Sequence, residues 1–378
     1  MIVILEIGII IVFILLPASV GQNYRQLLTS DSQQLRVVAV DIAAETGLTF
    51  NEQEQILCGQ PLTVGQYALV IYYQLIIENQ YSTIKTSHSQ LIINPDPRSL
   101  WKNIPSNNQE IYAKSDSRSQ TLHNSQFKIL AASQRGRSHA HKGQFREDDF
   151  FIAQGENWQL AIVADGAGSA KYSRHGSWLI CQTMGSFLTQ ILSRPIPVDR
   201  QDINLELKDA LAEAICAIED EAVAQQTDVK DYASTVLAVL CYFDSQQQDY
   251  VYWTVAVGDG AIALYSPQTE QIQLLNTPDT GDYAGETRFL SNNSLMQNNI
   301  LNCYRCQAFQ PCLLMTDGVS DAFFDSDNAL KNAKAWQYLW QFLQQQNALA
   351  DENALLACLD FWSKGNHDDR TLVAILEQ

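Results

Sequence analysis

The stretch WQLAIVADGAGS, residues 158–169, decides the fold and the chemistry expected of this chain. Its first half is a continuous apolar run with the length of a strand, and its second half is a glycine-rich turn around Asp165. An acidic residue at the end of a strand is held rigidly and points into a cleft, which suits a ligand of a hard cation. Gly166 lets the backbone turn and lets its carbonyl approach a ligand closely. The stretch predicts a strand that delivers a carboxylate to a site.

Three further acidic positions share this context. Asp317 lies in LMTDGVSD, Asp368 lies in GNHDDRT before the last apolar run, and the acidic group EDD at 147–149 precedes the strand-like FFI. A single Asp-Gly pair is most often a plain turn. Four acidic positions, each at a strand boundary, are harder to explain as turns and indicate a shared metal site.

Outward from these motifs, residues 127–378 alternate short β-type runs with helical patterns. Helical spacing of apolar residues runs over 173–192 and 205–225, and two more helices are expected at 335–344 and 352–363. Gly258-Asp259-Gly260 has the composition of a hairpin turn. With mostly antiparallel connections, this order predicts an α+β layered domain. The further strands are expected at 234–243, 250–257, 261–266, 312–316 and 371–376.

Residues 22–93 are predicted to form a smaller, mainly helical module. Asn51 followed by acidic residues is typical of a helix N-cap, and Thr63 would cap a second helix through 67–77. The apolar run 67–77 also fits a buried strand, because periodicity alone does not decide. The following stretch, 94–126, is rich in Pro, Ser, Asn and Gln, which predicts a linker that contains the domain boundary.

The first 21 residues form an apolar leader with three readings. Residues 1–16 are apolar except for Glu6, and PASVG follows. A membrane anchor, a cleaved signal peptide and an extension from a wrongly chosen start codon all fit. No Lys or Arg precedes the run, which is shorter than the roughly 20 residues of a spanning helix. The alternatives stay open.

Charge and cysteine content bear on the partners and the cellular location that the chain can have. The formal net charge is −18, from 24 Lys and Arg against 42 Asp and Glu, which argues against a nucleic-acid partner. The eight cysteines are scattered, and the single CxxC at 303–306 has no fourth zinc ligand at a sensible spacing. This pattern fits a reducing compartment, so a cytoplasmic location is expected, with anchoring through residues 1–16 as the alternative.

Six segments in order resemble the motif series of the type 2C metal-dependent serine/threonine protein phosphatases of the bacterial type. They are EDD, DGAGS, ASTVLAVL, VGDGAIALY, TDGVSD and NHDDRT, and together they cover 128–377. Single motifs are weak signals, whereas six in the right order are a strong one. The resemblance implies a four-layer α-β-β-α sandwich, in which two antiparallel sheets lie face to face with helices outside.

The resemblance also implies two Mn²⁺ or Mg²⁺ ions that share a hydroxide, which attacks phosphorus in line. Asp165 would bridge both ions, and Asp165, Asp317 and Asp368 would act in catalysis through the bound metal and hydroxide. Asp259 and Asp321 are candidates for a looser third metal site, with a turn role equally expected. The implied metal ligands and supports are Glu147, Asp148, Asp165, Gly166, Asp317 and Asp368.

Two positions depart from the family pattern. Gly143 stands where many members carry a phosphate-binding arginine, and Arg146 is the candidate replacement among neighbouring cations that include Arg135, Arg137 and Lys142. Ala167 stands where some members carry a histidine after the DG pair. His139, His141 and His367 lie near the motifs in sequence, and a surface or packing role is the more expected one for each.

The expected function is hydrolysis of phosphoserine and phosphothreonine in proteins, with a phosphorylated protein as substrate and a cognate Ser/Thr kinase as partner. Two alternatives remain: an inactive or weakly active module that binds phosphorylated partners, and a phosphoesterase that acts on small molecules. The segment 285–291 is expected either to border the site as a substrate-selecting flap or to be an ordinary loop.

Overall fold

The computed structural model describes residues 11–29, 35–77, 80–194, 200–277, 287–297 and 299–378, excluding the side chains of 200–202. The chain divides into two compact units, Met1–Lys102 and Asn103–Gln378.

The first unit is built from strands. Strands β1, β8, β6 and β3 form one sheet in that order, with β7 paired to β6, and β2, β5 and β4 form a second sheet. One hydrophobic core contains residues from both sheets, among them Val37, Leu57 and Ile71. The strands are β1 (Ala18–Ser19), β2 (Tyr24–Leu27), β3 (Leu35–Asp41), β4 (Leu48–Asn51), β5 (Ile56–Gly59), β6 (Gly65–Ile77), β7 (Gln80–Tyr81) and β8 (Lys85–Asn94).

The prediction of a mainly helical module at 22–93 is therefore wrong. The apolar run over 67–77 lies in β6, where Leu69, Ile71 and Tyr73 are buried at every second position, which is the period of a strand. Asn51 does accept hydrogen bonds through its side chain, from the backbone N–H of Gln53 and Glu54. These bonds close the turn between β4 and β5, because Asn makes the same side-chain contacts in turns as at helix caps.

The apolar leader also behaves as extended chain where it is described. Phe13 and Leu15 are buried in the core of the first unit, whereas Val12, Ile14 and Leu16 are exposed. This alternation belongs to an extended segment packed on a sheet. No helix in the described part of the chain is long and apolar enough to span a membrane. The membrane-anchor prediction for residues 1–16 is thus wrong for the described residues 11–16, while residues 1–10 lie outside the described ranges.

The second unit contains two antiparallel sheets. The six-stranded sheet has the order β16-β15-β18-β19-β10-β9, and the five-stranded sheet has the order β11-β12-β13-β14-β17. The strands are β9 (Ser117–His123), β10 (Phe127–Gln134), β11 (Asp149–Gln154), β12 (Trp158–Ala164), β13 (Val236–Asp244), β14 (Asp249–Val257), β15 (Ala261–Ser266), β16 (Gln271–Leu274), β17 (Leu301–Cys306), β18 (Cys312–Met315) and β19 (Arg370–Glu377).

Three hydrophobic cores hold this unit together. One contains residues of both sheets, such as Val163 and Val373. The second joins the five-stranded sheet to α2 and α3, and the third joins the six-stranded sheet to α6 and α7. The helices are α1 (Arg137–Lys142), α2 (Ser173–Leu192), α3 (Arg200–Gln225), α4 (Asn292–Leu295), α5 (Asp317–Phe323), α6 (Ala333–Gln345) and α7 (Glu352–Leu359).

Two local expectations differ from the structure. The stretch predicted as a linker, 94–126, contains β9, a polar strand that pairs with β10 at the edge of the six-stranded sheet. The predicted hairpin at Gly258–Gly260 instead joins β14 of one sheet to β15 of the other. Gly258 and Gly260 have φ values of +103° and +89°, which glycine adopts without strain.

Candidate active site

Asp165 lies directly after β12, and hydrogen bonds to Ser234 and Thr235 hold its main chain. Its N–H donates to Thr235 Oγ1 (3.0 Å), and its carbonyl accepts from Thr235 N (2.8 Å) and Ser234 Oγ (2.7 Å). A Cβ on Gly166 would lie 2.8 Å from the Ser173 main chain and 2.9 Å from the Glu147 carbonyl. Only glycine fits there, so the backbone after Asp165 lies close to the acidic motif at 147–149.

A first group of carboxylates consists of Asp165, Asp259 and Asp317. One carboxylate oxygen from each lies within 4.8 Å of the others. Asp317 opens α5 at the end of β18, and Asp259 is presented by the glycine turn between the sheets. Sequence analysis expected Asp259 only in a looser third site, whereas the structure places it with two of the principal predicted ligands.

The segment predicted as a flap reaches this first group. Thr287 Oγ1 donates to Asp259 Oδ2 at 2.6 Å, and Leu290 N donates to the Ser234 carbonyl at 2.9 Å. Residues 285 and 286 lie outside the described ranges. The described part of the segment therefore borders the carboxylates.

A second group consists of His139, Asp368 and Asp369, whose ligand atoms also lie within 4.8 Å of one another. The pairing of Gln134 in β10 with Arg370 in β19 brings the start of α1 beside these aspartates. Asp369 Oδ1 lies 3.0 Å from His139 Nδ1, and the Asp369 carboxylate accepts from the backbone N–H of Gly136 and Glu147, both at 2.6 Å. These contacts fix the orientation of the second group.

Asp148 and Glu147 complete the site. Asp148 Oδ2 accepts from Thr316 Oγ1 (2.8 Å) and Thr371 Oγ1 (2.7 Å). Glu147 Oε2 lies 3.7 Å from His139 Nε2. Among the described residues, three buried carboxylate oxygens have no hydrogen-bond partner: Glu147 Oε2, Asp148 Oδ1 and Asp259 Oδ1.

The electrostatics of the carboxylates are unfavourable in the absence of a cation. Burial raises the pKa of Asp165 well above its ordinary value, and the neighbouring Asp317 and Asp148 raise it further. Burial and then Asp259 and Asp368 raise the pKa of Asp317 in the same way. Burial also raises the pKa of Glu147 to about 7 and that of Asp148 to about 6. Buried like charges oppose ionisation.

A divalent cation would reverse this balance. The unpartnered buried oxygens and the excess of carboxylates form the oxygen-rich donor set that Mg²⁺ and Mn²⁺ prefer. The residues present therefore fit divalent cations.

Not all of the predicted ligands lie in the same group. Asp368 belongs to the second group rather than to that of Asp165, although it still raises the pKa of Asp317. Asp321 lies one helical turn after Asp317, is exposed, and belongs to neither group. Sequence reasoning missed Asp369 and assigned His139 to a surface or packing role. The structure corrects that assignment, because His139 lies among carboxylates.

Arg146 does not agree with the predicted phosphate contact. The residue is 1% exposed, and its guanidinium donates to Ser133 Oγ (2.6 Å), the Asp148 carbonyl (2.6 Å) and the Ser115 carbonyl (3.3 Å). A side chain that is committed to internal bonds in this way supports the backbone of Asp148. Asp165, Asp259 and Asp317 were recognisable from their DG pairs, whereas the burial of Arg146 had no local signal in the sequence.

The fold and the site define an α+β protein with a carboxylate-rich centre suited to divalent cations. The family model described as protein phosphatase 2C matches residues 135–360. This match covers more than half of the chain, so the chain belongs to the protein phosphatase 2C family.

Solved structures with similarity to this chain include phosphatases. The S. agalactiae serine/threonine phosphatase is 16% identical, with 67% of this chain and 100% of that chain covered and a TM-score of 0.45. Stp1 from Staphylococcus aureus, a serine/threonine phosphatase, is 13% identical, with coverage of 73% and 100% and a TM-score of 0.40. RsbX in complex with magnesium is 14% identical, with coverage of 69% and 100% and a TM-score of 0.41. None of the curated proteins compared with this sequence matches it.

Proposed function

We propose that this chain is a metal-dependent phosphatase that hydrolyses phosphoserine and phosphothreonine in proteins. The observation that carries the proposal is the meeting of two ligand groups from distant parts of the sequence, beside three buried carboxylate oxygens that have no partner among the described residues. Membership of the protein phosphatase 2C family supports the reaction class. An α-β-β-α sandwich requires one core between its sheets and one between each sheet and its helices. The three cores of the second unit support this order of layers, which is part of the proposal.

Two Mn²⁺ or Mg²⁺ ions would be held by the acidic residues. Asp165, Asp259 and Asp317 would provide one set of ligand atoms, and the Gly166 carbonyl would be a ligand of the second ion. Such cations lower the pKa of bound water and stabilise negative charge on phosphoryl oxygens. The further ligands in the proposal are Glu147, Asp148 and Asp368, with Asp321 as an outer contributor.

Other side chains of the protein would hold the proposed ligands Asp148 and Glu147 in position. Asp148 is held by two threonine hydroxyls, which fixes its free oxygen towards the site. Burial opposes protonation of His139, but the adjacent Asp369 carboxylate, 3.0 Å from Nδ1, and the other nearby carboxylates raise its pKa to about 9. His139 Nε2 lies 3.7 Å from Glu147 Oε2, so the imidazole would orient this carboxylate. A phosphorylated protein is the proposed substrate, with a cognate kinase as the partner that supplies it.

The test is hydrolysis of an aryl phosphate as Mn²⁺ is added, in the wild type and in Asp165→Asn. We expect activity that depends on Mn²⁺ and is lost in the variant. Equal rates in both proteins would contradict the proposal.

The substrate class needs a second measurement with a phosphothreonine peptide and with nucleotides. Faster hydrolysis of the peptide is expected. A preference of more than about tenfold for nucleotides, which is about 1.4 kcal/mol, would favour a phosphoesterase for small molecules. Tight binding of the peptide without turnover would favour a binding module.

A further inference from the structure

A cavity of about 430 Å³ lies in the second unit, between the segment that precedes β9, the start of β11 and the first turns of α2. None of the residues proposed as metal ligands lines it. Its lining combines charged, polar and aromatic side chains, and the charged or amide-bearing ones are Lys114, Arg118, Arg146, Asp149, Arg174 and Gln182.

The charge of this lining is opposite to that of the chain. Four cationic side chains and one carboxylate line the cavity, in a protein of net charge −18. Both oxygens of Asp149 are already used, because Oδ1 accepts from Arg118 Nη1 (2.8 Å) and Oδ2 lies 2.9 Å from Lys114 Nζ. Glu110, outside the lining, also lies 3.4 Å from Arg174 Nη2 through its Oε2. Two carboxylates against four cations still leave an excess of positive charge, so the cavity favours an anion.

Several donors around the cavity are available. Arg118 uses Nη1 for both of its hydrogen bonds, to Asp149 and to the Phe150 carbonyl. Its Nε and Nη2 have no partner in the described part of the chain, and its side chain is 33% exposed. Gln182 Nε2 is buried without a partner among the same residues. A guanidinium edge and a buried amide N–H are donors that an oxyanion satisfies.

One wall of the cavity is aromatic. The rings of Tyr112 and His175 stack at 3.7 Å with an interplanar angle of 7°, and His175 and Trp178 stack at 5.3 Å and 12°. Trp178 is 42% exposed, although aromatic residues usually bury most of their surface. The stack thus ends in a ring that is open to a further planar group.

The back of the cavity touches the main chain of the acidic motif. Lys114 Nζ donates to the Asp148 carbonyl at 2.6 Å and lies 3.4 Å from Ser177 Oγ, which donates to the Glu147 carbonyl. The cavity and the carboxylate groups therefore lie on opposite sides of residues 147–149.

We propose that this cavity is a binding site for a small aromatic oxyanion, separate from the carboxylate site. Arg118 and Gln182 would bind the oxyanion, Arg174 and Lys114 would add favourable charge, and Trp178 would stack on the ring. This proposal does not depend on the phosphatase reaction.

The test uses the full chain freed of metal with a chelator, so that the carboxylates repel anions from the other site. The probe is phenylphosphonate, whose carbon–phosphorus bond removes hydrolysis, titrated by calorimetry. We expect saturable binding of one equivalent, weaker binding of sulfate because it lacks the ring, and no binding of neutral benzyl alcohol. Absence of phenylphosphonate binding, or equal affinity for sulfate, would overturn the proposal.

Variants locate the probe. Arg118→Gln and Trp178→Ala should each weaken binding by about tenfold, which is about 1.4 kcal/mol, whereas Lys334→Gln removes the same charge at an exposed position and should leave it unchanged. Trp178→Ala keeps the test valid if Arg118→Gln fails to fold, because the Trp178 ring is 42% exposed. Asp165→Asn should bind the probe as the wild type does. Loss of binding in Asp165→Asn, or wild-type affinity in Trp178→Ala, would contradict the site.

Discussion

Thr316 Oγ1 donates a hydrogen bond of 2.8 Å to Oδ2 of Asp148, across 168 residues of sequence. The same hydroxyl accepts from Thr371 N at 3.1 Å. Thr316 precedes the DGVSD segment, and Asp148 lies in the EDD segment. This contact ties two motifs together and holds a buried carboxylate in one orientation.

Replacement of Thr316 by valine should weaken Mn²⁺ binding while leaving every carboxylate in place. Valine keeps the shape but removes the hydroxyl, and loss of a group that orients a ligand typically costs about 10- to 100-fold in metal affinity. Calorimetric titration of Mn²⁺ measures the change. Thr254→Val, which removes a buried hydroxyl that donates to the Leu275 carbonyl, is the control and should bind Mn²⁺ normally. Unchanged affinity in Thr316→Val would show that the contact has no orienting role.

The stability of the metal-free protein should fall as pH rises. Burial raises the pKa of Glu147 to about 7 and that of Asp148 to about 6, above their values in the unfolded chain. The folded state therefore binds more protons than the unfolded state, and the free energy of unfolding decreases from about pH 4 to about pH 7. The raised pKa of His139, about 9, extends the decrease to higher pH, because its extra proton is lost there.

Urea unfolding in the presence of a chelator at pH 5, 6, 7 and 8 measures this trend. A decrease of the order of 2 kcal/mol is expected over that range. Saturating Mn²⁺ should reverse the trend, because the cation binds the ionised carboxylates. Stability of the metal-free protein that rises with pH would contradict the unfavourable carboxylate cluster.

The sequence predicted the second unit well because its signals are local. The apolar strand before Asp165 and the helical spacing of 173–192 each follow from neighbouring residues. The contact between His139 and Asp369 arises only when β10 pairs with β19, far apart in the chain. No local pattern encodes that pairing, so Asp368 was the one residue of the second group that was predicted as a ligand.

The first unit was mispredicted for a different reason. The run over 67–77 is apolar on both faces, so it shows neither the helical nor the strand period clearly. Leu69, Ile71 and Tyr73 differ from their neighbours in the run only because they lie in the core of the first unit. Tertiary packing decided the outcome there.

Replacement of Arg146 by methionine should destabilise the second unit rather than weaken substrate binding. The change removes the guanidinium donor from the Asp148 carbonyl and from Ser133 Oγ, which keep Lys114 Nζ and Thr371 Oγ1 as partners, at a cost of about 2 kcal/mol. Arg305→Met is the control. It removes an ion pair with Asp249 from a side chain that is 30% exposed, and this loss should cost about 1 kcal/mol or less. Urea unfolding measures both. A raised KM for an aryl phosphate with unchanged stability would instead support the phosphate contact.

The extended conformation of residues 11–16 predicts a large loss of stability at one residue and a small change at its neighbour. Phe13 is 3% exposed and packs edge-on against Tyr73 at 5.7 Å, whereas Ile14 is 43% exposed. Phe13→Ala should lower the stability of the first unit by about 3 kcal/mol, and Ile14→Ala should change it by about 0.5 kcal/mol or less. Thermal unfolding measures both changes, through the transition temperature of the first unit. Equal effects would contradict the alternating burial.

The central claim is that distant carboxylates meet to hold two cations. Equilibrium dialysis followed by elemental analysis, applied to the wild type and to Asp165→Asn, counts the bound Mn²⁺ directly. We expect two equivalents in the wild type and loss of at least one in the variant. Fewer than one equivalent in the wild type, or the same number in both proteins, would contradict it.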